Sequence, residues 1–275
     1  MRVASFRTVP VLMYHHVSPS NDMLTTVPER FESQLAWLAE EGYATLDAEG
    51  LAGFLAGRPV PDRSVVLTFD DGFLDNWVYA HPLLQRYGMR AVLFVITGQL
   101  GEGAPRACAG SAGTLPDTPG HRACEAAVAA GRADEVMLRW SEVEAMREAG
   151  TFDVHSHTHT HTRWDQCCPD AATKRAGIAE DIGLARESLQ RRLGPASAHL
   201  CWPQGYFDDD YVAEATAQGY THLYTTDPVG QNVPGADPRH IRRITAKDEP
   251  AAWLRRRLWL ARHRVLGPLY DKVRY

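Results

Sequence analysis

The rhythm of this chain constrains its fold more than any single residue does. Short apolar runs recur at Val11 to Tyr14, Val65 to Phe69, Ala91 to Ile96, Phe152 to His155, His199 to Trp202 and His222 to Thr225, with helical patterns between them. Phe31-Glu-Ser-Gln-Leu-Ala-Trp-Leu38 and Ile178-Ala-Glu-Asp-Ile-Gly-Leu184 place apolar residues three and four apart, the spacing of one helix face. Strand then helix, repeated, predicts a parallel sheet that is closed or nearly closed. With 275 residues and 44% hydrophobic content the chain can bury one full core, so a single α/β barrel domain over 1–275 is expected.

Charged residues that follow core strands sit where α/β folds build their sites. Ser64-Val-Val-Leu-Thr-Phe69 is such a strand, and it runs into Asp70, Asp71 and Gly72. Adjacent carboxylates repel unless a cation or proton intervenes, which suggests that one ligates a metal while the other acts as a base. A strand-ending turn with a helix cap is the competing reading, because Asp and Gly both favour turns. A second strand, Phe152-Asp-Val-His155, leads into His155, His157, His159 and His161 at alternate positions. Fully extended, the segment would put all four imidazoles on one face, more than a site with carboxylate ligands needs. Two histidines and one carboxylate with open positions suit Zn²⁺, or Co²⁺, Ni²⁺ or Fe²⁺. Ser156, Thr158 and Thr160 would hydrogen-bond around the ligands.

Thr68-Phe-Asp-Asp-Gly72 and Asp153-Val-His-Ser-His-Thr-His-Thr-His161 together resemble the first two signature motifs of the polysaccharide deacetylase family (carbohydrate esterase family 4). The NodB-homology domain of that family is a distorted (β/α) barrel of about seven parallel strands. Val9-Pro-Val-Leu-Met-Tyr-His-His-Val17 is similar to the opening of its poly-N-acetylglucosamine deacetylase subgroup. Leu138-Arg-Trp-Ser-Glu-Val-Glu-Ala-Met146 resembles the helix start before the histidine motif, and Leu200-Cys-Trp-Pro-Gln-Gly205 is similar to the Pro-x-Gly motif. The likeness covers roughly residues 9 to 245.

The resemblance implies that Asp70 is the general base and that Asp71, His157 and His161 hold the metal. It implies His15 as the acid for the leaving amine and a backbone N–H near Gln204 for the oxyanion. Trp140, Trp164 and Trp202 are candidate sugar-stacking faces, with Tyr206 a further substrate contact. Three departures stand out. His155 occupies a position that is usually small; Cys201 and Gln204 stand where relatives carry an Arg and a Tyr; and no Leu-His motif appears near the C-terminus. Arg242 or Arg243 is then the candidate to orient the base.

Residues 98–134 break the rhythm with Gly, Ala, Pro and Ser until Ala123-Cys-Glu-Ala-Ala-Val-Ala-Ala130. This insertion is read as a lid over the site, against a disordered surface loop. Five cysteines form no CxxC pair and read as reduced thiols. Met1-Arg-Val-Ala-Ser-Phe-Arg-Thr8 is too short and polar for a signal peptide, so a cytoplasmic location is expected. At the other end, 249–275 reads as a basic helix. From Ala251 to Tyr275 it carries six Arg and one Lys against one Asp, in a chain of net charge −5. Such a helix either packs on the barrel or touches an anionic membrane surface, which would put the protein at the periphery of the inner membrane. Nothing basic or aromatic is arranged as a nucleic-acid surface.

The expected function is removal of an N-acetyl group from an N-acetylhexosamine, in a cell-envelope glycan or its cytoplasmic precursor such as a lipopolysaccharide core or lipid-linked sugar. The alternatives are an amide or ester hydrolase of the same fold acting on a small substrate, and a glycan-binding pseudoenzyme.

Overall fold

The computed structural model describes residues 8–20, 22–263, 265–267 and 269–270. The N-terminal segment read as unlike a signal peptide lies outside these residues up to Arg7, as do the last five residues of the basic 249–275 stretch.

Seven strands make the main path: β1 (Val11–Tyr14), β2 (Ser64–Phe69), β3 (Ala91–Val95), β4 (Phe152–Ser156), β5 (His199–Cys201), β6 (His222–Tyr224) and β7 (Ile244–Thr245). They lie in the order β7-β1-β2-β3-β4-β5-β6, every neighbouring pair parallel. A further two residues, Ala44–Thr45, pair with the start of β2. One bridge from Tyr224 to Ile241 brings the two sheet edges together. The sheet is therefore curled into the distorted (β/α) barrel expected from the sequence.

Alternation along the strands sorts side chains onto two faces. Leu12, Tyr14, Leu67, Phe69, Leu93 and Val95 pack outward, in one cluster with Phe31, Leu35, Val143, Leu189 and Leu254 of the surrounding helices. Val11, Val66, Val92, Phe94, Cys201 and Tyr224 point inward, joined by Leu51 and Phe54 of the helix Ala48–Leu55. The inner face also holds Asp70, Arg243 and a row of histidines, all buried.

The 98–134 stretch carries the helix His121–Ala129, close to the sequence expectation. It is tied to the barrel: Trp77 Nε1 donates to the Arg106 carbonyl and Ser18 Oγ to the Thr118 carbonyl, each at 2.7 Å. Phe73, Cys124, Ala127, Val136 and Met137 form an apolar cluster beneath it. The basic C-terminal helix, Ala251–Arg262, buries Leu254, Leu258 and Ala261, while Trp259 is exposed. No helix among the described residues is long and apolar enough to cross a membrane.

Deep in the inner face, the His199 ring lies 4.8 Å from His155 and 4.6 Å from His222. It is 1% exposed, and burial, with the neighbouring histidines, holds its pKa well below 6.5. The unfolded chain accepts a proton near pH 6.5 that the folded protein refuses, so this site's stability is complete above that pH and is lost on acidification below it. The slope is at most about 1.4 kcal/mol per pH unit for one such group. The melting temperature should fall between pH 7.5 and pH 5, and fall less in His199→Gln. Parallel melting curves for both proteins would show that His199 plays no such part.

Candidate active site

Where the strands end, a cleft of about 440 Å³ opens, lined by His15, Asp70, Asp71, His157 and His161 together with Trp202, Gln204, His121 and Glu125. Asp70 belongs to the inward-pointing set of β2, after Val66 and Thr68. The next residue would point outward, but Asp71 adopts φ 72° and Gly72 φ 87°, and this left-handed turn swings the second carboxylate into the same cleft. A Cβ on Gly72 would approach Val95 Cγ1 at 3.1 Å, so the turn also needs glycine for space. The Asp71 carbonyl is fixed by the Ile96 N–H at 3.1 Å.

Asp70 is gripped by Arg243, whose Nη1 donates to Oδ1 at 2.7 Å and whose Nη2 donates to Oδ2 at 2.8 Å. The guanidinium is itself held by the Thr225 carbonyl at 2.8 Å, Thr68 Oγ1 at 3.1 Å and Cys201 Sγ at 3.0 Å. Burial alone would push the Asp70 carboxyl up, but Arg243, with His157 and His15, outweighs it and keeps the carboxyl below the usual range. Arg242 does not share this role, since its Nε donates to the Val229 carbonyl. His15 Nε2 faces Asp70 Oδ2 at 3.9 Å, and burial pulls its pKa down.

Asp71 Oδ1 lies 3.3 Å from His157 Nε2 and 3.6 Å from His161 Nε2, and one atom from each of the three residues falls within a common 4.8 Å. His157 Nδ1 sits 2.9 Å from the Cys201 carbonyl, to which only an N–H can donate, so Nε2 is the nitrogen turned to Asp71. Burial disfavours charge on His157, yet Cys201 and Asp71 outweigh it and hold its pKa well above the ordinary value. Burial would also raise Asp71, but the His157 hydrogen bond and His161 hold it far below the carboxylate range. Burial and then His157 push His161 down to about 4, leaving a neutral imidazole with a lone pair to offer. Two imidazole nitrogens and one carboxylate oxygen fit a divalent ion. Asp70, His157 and Cys201 also come within 4.8 Å of one another, but Arg243 already donates to two of them and would repel a cation.

The histidine run is not extended. Its strand ends at Ser156, and positive φ at Thr158 (64°) and His161 (62°) coils the segment, so that two of the four imidazoles reach Asp71. His155 lies one pleat deeper, its Nδ1 2.6 Å from Ser197 Oγ, and does not crowd the cleft. His159 turns away, Nδ1 2.9 Å from Thr97 Oγ1. The coil is held by Asp181 of the helix Ala171–Leu193, whose Oδ1 accepts from His159 N at 2.9 Å and Thr160 N at 2.7 Å, and whose Oδ2 accepts from Trp164 Nε1 at 3.0 Å.

The aromatic expectations need correction. Trp140 is buried in the outer core, and Trp164 packs edge-on over Gly177. Trp202 borders the cleft but is wholly buried, with Phe207 stacked on it and Tyr211 at its edge, so it offers no open face. Tyr206 is exposed, with the Arg163 guanidinium 4.0 Å above its ring. Gln204, in a left-handed conformation at φ 54°, borders the cleft, and its side chain accepts from Arg163 Nη1 at 3.0 Å. Asp181 and His121 were not singled out from sequence. The visible hint for Asp181 was a carboxylate between Ile178 and Ile182 on the apolar side of its helix.

The polysaccharide deacetylase family profile matches residues 57–223, and the chain belongs to that family. The poly-β-1,6-N-acetyl-D-glucosamine N-deacetylase of Staphylococcus aureus (strain MSSA476) is 22% identical over 224 residues, 80% of this chain and 67% of that protein. The YxkH protein of Bacillus subtilis (strain 168) is 39% identical over 95 residues, so the chain matches only 33% of its length. Among solved structures, IcaB from Ammonifex degensii superposes with a TM-score of 0.71 at 24% identity, covering 94% of this chain and 98% of the other. The Streptococcus pyogenes deacetylase PplD gives 0.70 at 21% identity, covering 91% and 98%. These likenesses establish the fold.

Asp181→Ala would strip two backbone N–H groups of their acceptor and loosen the coil that presents His161. Zinc affinity, measured by competition with a chromogenic chelator, should fall about 10- to 100-fold, as expected when a group supporting a ligand is removed. Unchanged affinity would mean that His161 is positioned without Asp181.

Proposed function

We propose that this chain is a metal-dependent N-deacetylase acting on N-acetylhexosamine units of a glycan. The observation that carries the reading is the pairing, in one cleft, of an Arg243-clamped Asp70 with the Asp71, His157 and His161 donor set. The family supports hydrolysis of an acetyl group, and the name of the S. aureus relative supports a β-1,6-linked N-acetylglucosamine polymer as substrate.

A divalent ion held by Asp71, His157 and His161, zinc in our reading, would supply Lewis-acid polarisation of the acyl group. Asp70, ionised because Arg243 offsets its burial, takes a proton from the attacking water. His15, its Nε2 3.9 Å from the same carboxylate, is the acid that gives a proton to the departing nitrogen. The backbone N–H of Gln204 serves the oxygen that becomes negative. The missing motif Arg had kept a non-catalytic glycan-binding reading open. Arg243, arriving just before β7, grips Asp70 from another part of the chain, which favours an enzyme.

Asp70→Asn should retain about one zinc per chain by elemental analysis, yet release acetate from β-1,6-linked N-acetylglucosamine oligomers about 10²- to 10⁴-fold more slowly. His157→Ala should lose the metal. A wild-type protein that cannot be loaded with zinc, cobalt, nickel or iron would sink the reading. So would full activity in Asp70→Asn. Acetate release from O-acetylated but not N-acetylated sugars would redirect it to an esterase.

A further inference from the structure

His121 stands at the start of the insertion helix and borders the cleft. Its ring is held from behind. Nδ1 lies 3.1 Å from His16 Nε2, and His16 Nδ1 lies 2.6 Å from Asp75 Oδ2. His16 and Asp75 are 0% and 2% exposed. Asp75 is fixed in turn, because its Oδ1 accepts from the Val17 N–H and from Asn76 Nδ2, both at 2.9 Å. The His16 ring also stacks on Phe73 at 3.9 Å between centroids.

A buried carboxylate and imidazole, with a second, partly buried imidazole next to them, are tolerated only when each buried nitrogen has a partner. Burial alone would lower the His16 pKa, and Asp75 more than offsets it. With Nδ1 facing His16, the nitrogen that His121 turns outward is Nε2, and a carboxylate beside it favours the proton there. That nitrogen lies 3.6 Å from Glu125 Oε1, one helical turn on, and Glu125 is largely exposed at the cleft wall. A donor and an acceptor side by side on a wall, with the donor's ring orientation set by buried groups, match the alternating hydroxyls of a sugar ring.

We propose that His121 and Glu125 form a sugar-binding pair on the insertion wall, the imidazole donating to one hydroxyl oxygen and the carboxylate accepting from a neighbouring hydroxyl, with His16 and Asp75 as positioning residues. This rests on the deacetylase reading above and adds to it the residues that recognise the carbohydrate. The insertion is then part of substrate binding.

The test is calorimetric titration of a β-1,6-linked N-acetylglucosamine pentamer into zinc-loaded Asp70→Asn protein, and into the same protein carrying Glu125→Gln, His121→Phe or His121→Gln. Glu125→Gln and His121→Phe should each weaken binding about tenfold, as loss of one hydrogen bond to a polar ligand would. His121→Gln, which keeps a donor, should recover part of the loss. Glu125 is exposed, so its variant should melt with the parent.

Pentamer affinity unchanged in both Glu125→Gln and His121→Phe overturns the proposal and leaves the deacetylase reading intact. Loss of both binding and melting temperature in His121→Phe, with normal binding in Glu125→Gln, overturns it too, because His121 would then only anchor the insertion. A parent that does not bind the pentamer overturns the glycan reading, and this pair with it.

Discussion

An ionised carboxylate buried beside the cleft exists here because a guanidinium meets it edge to edge. Asp70 is 2% exposed and Arg243 is 0% exposed. Neither charge would be stable there alone, and removing one partner of such a pair costs about 3–5 kcal/mol. The two residues lie 173 apart in sequence, and what brings them together is closure of the sheet. β7 must return beside β1, and Tyr224 must bridge to Ile241, before Arg243 can enter the inner face. The ionisation of Asp70 is thereby linked to completion of the barrel.

The same closure explains how two adjacent carboxylates coexist. Asp70 spends its charge on Arg243, while Asp71, turned by its positive φ, spends its own on His157 and His161. The division of labour thus comes from backbone direction: one residue keeps the strand alternation and the next breaks it. Cys201 serves both halves, its carbonyl fixing the His157 tautomer and its sulfur accepting from Arg243. Burial pushes that thiol's pKa up, against the pull of the Arg243 charge.

The strand positions, the strand-end carboxylates and the pair His157 and His161 were legible because period-2 and helical patterns are local, and because the motifs carry their chemistry at fixed spacing. The alternating histidines also misled. Alternation means a shared face only while the strand continues, and the turn at Thr158 depends on Asp181, whose contact with residues 159 and 160 no local pattern shows. The choice between Arg242 and Arg243 stayed open for the same reason, since it is set by register against β1. Tryptophans were read by residue type alone, but whether an indole offers a face or lies in the core is decided by neighbours such as Phe207 and Tyr211.

His15 and His16 show how one short segment can serve two walls. Consecutive side chains on extended backbone point to opposite sides. His15 faces Asp70 across the cleft, and His16 turns to Asp75 and the insertion helix. The Asn76 side chain, which donates to both the His15 carbonyl and Asp75, couples the two directions. His15 and His16 therefore follow directly on a strand end fixed by the sheet. The insertion, which the sheet does not fix, is held to the barrel by Trp77 at Arg106, by Ser18 at Thr118 and by the contact from His16 to His121. A change that tilts this segment would move His15 and the insertion wall together.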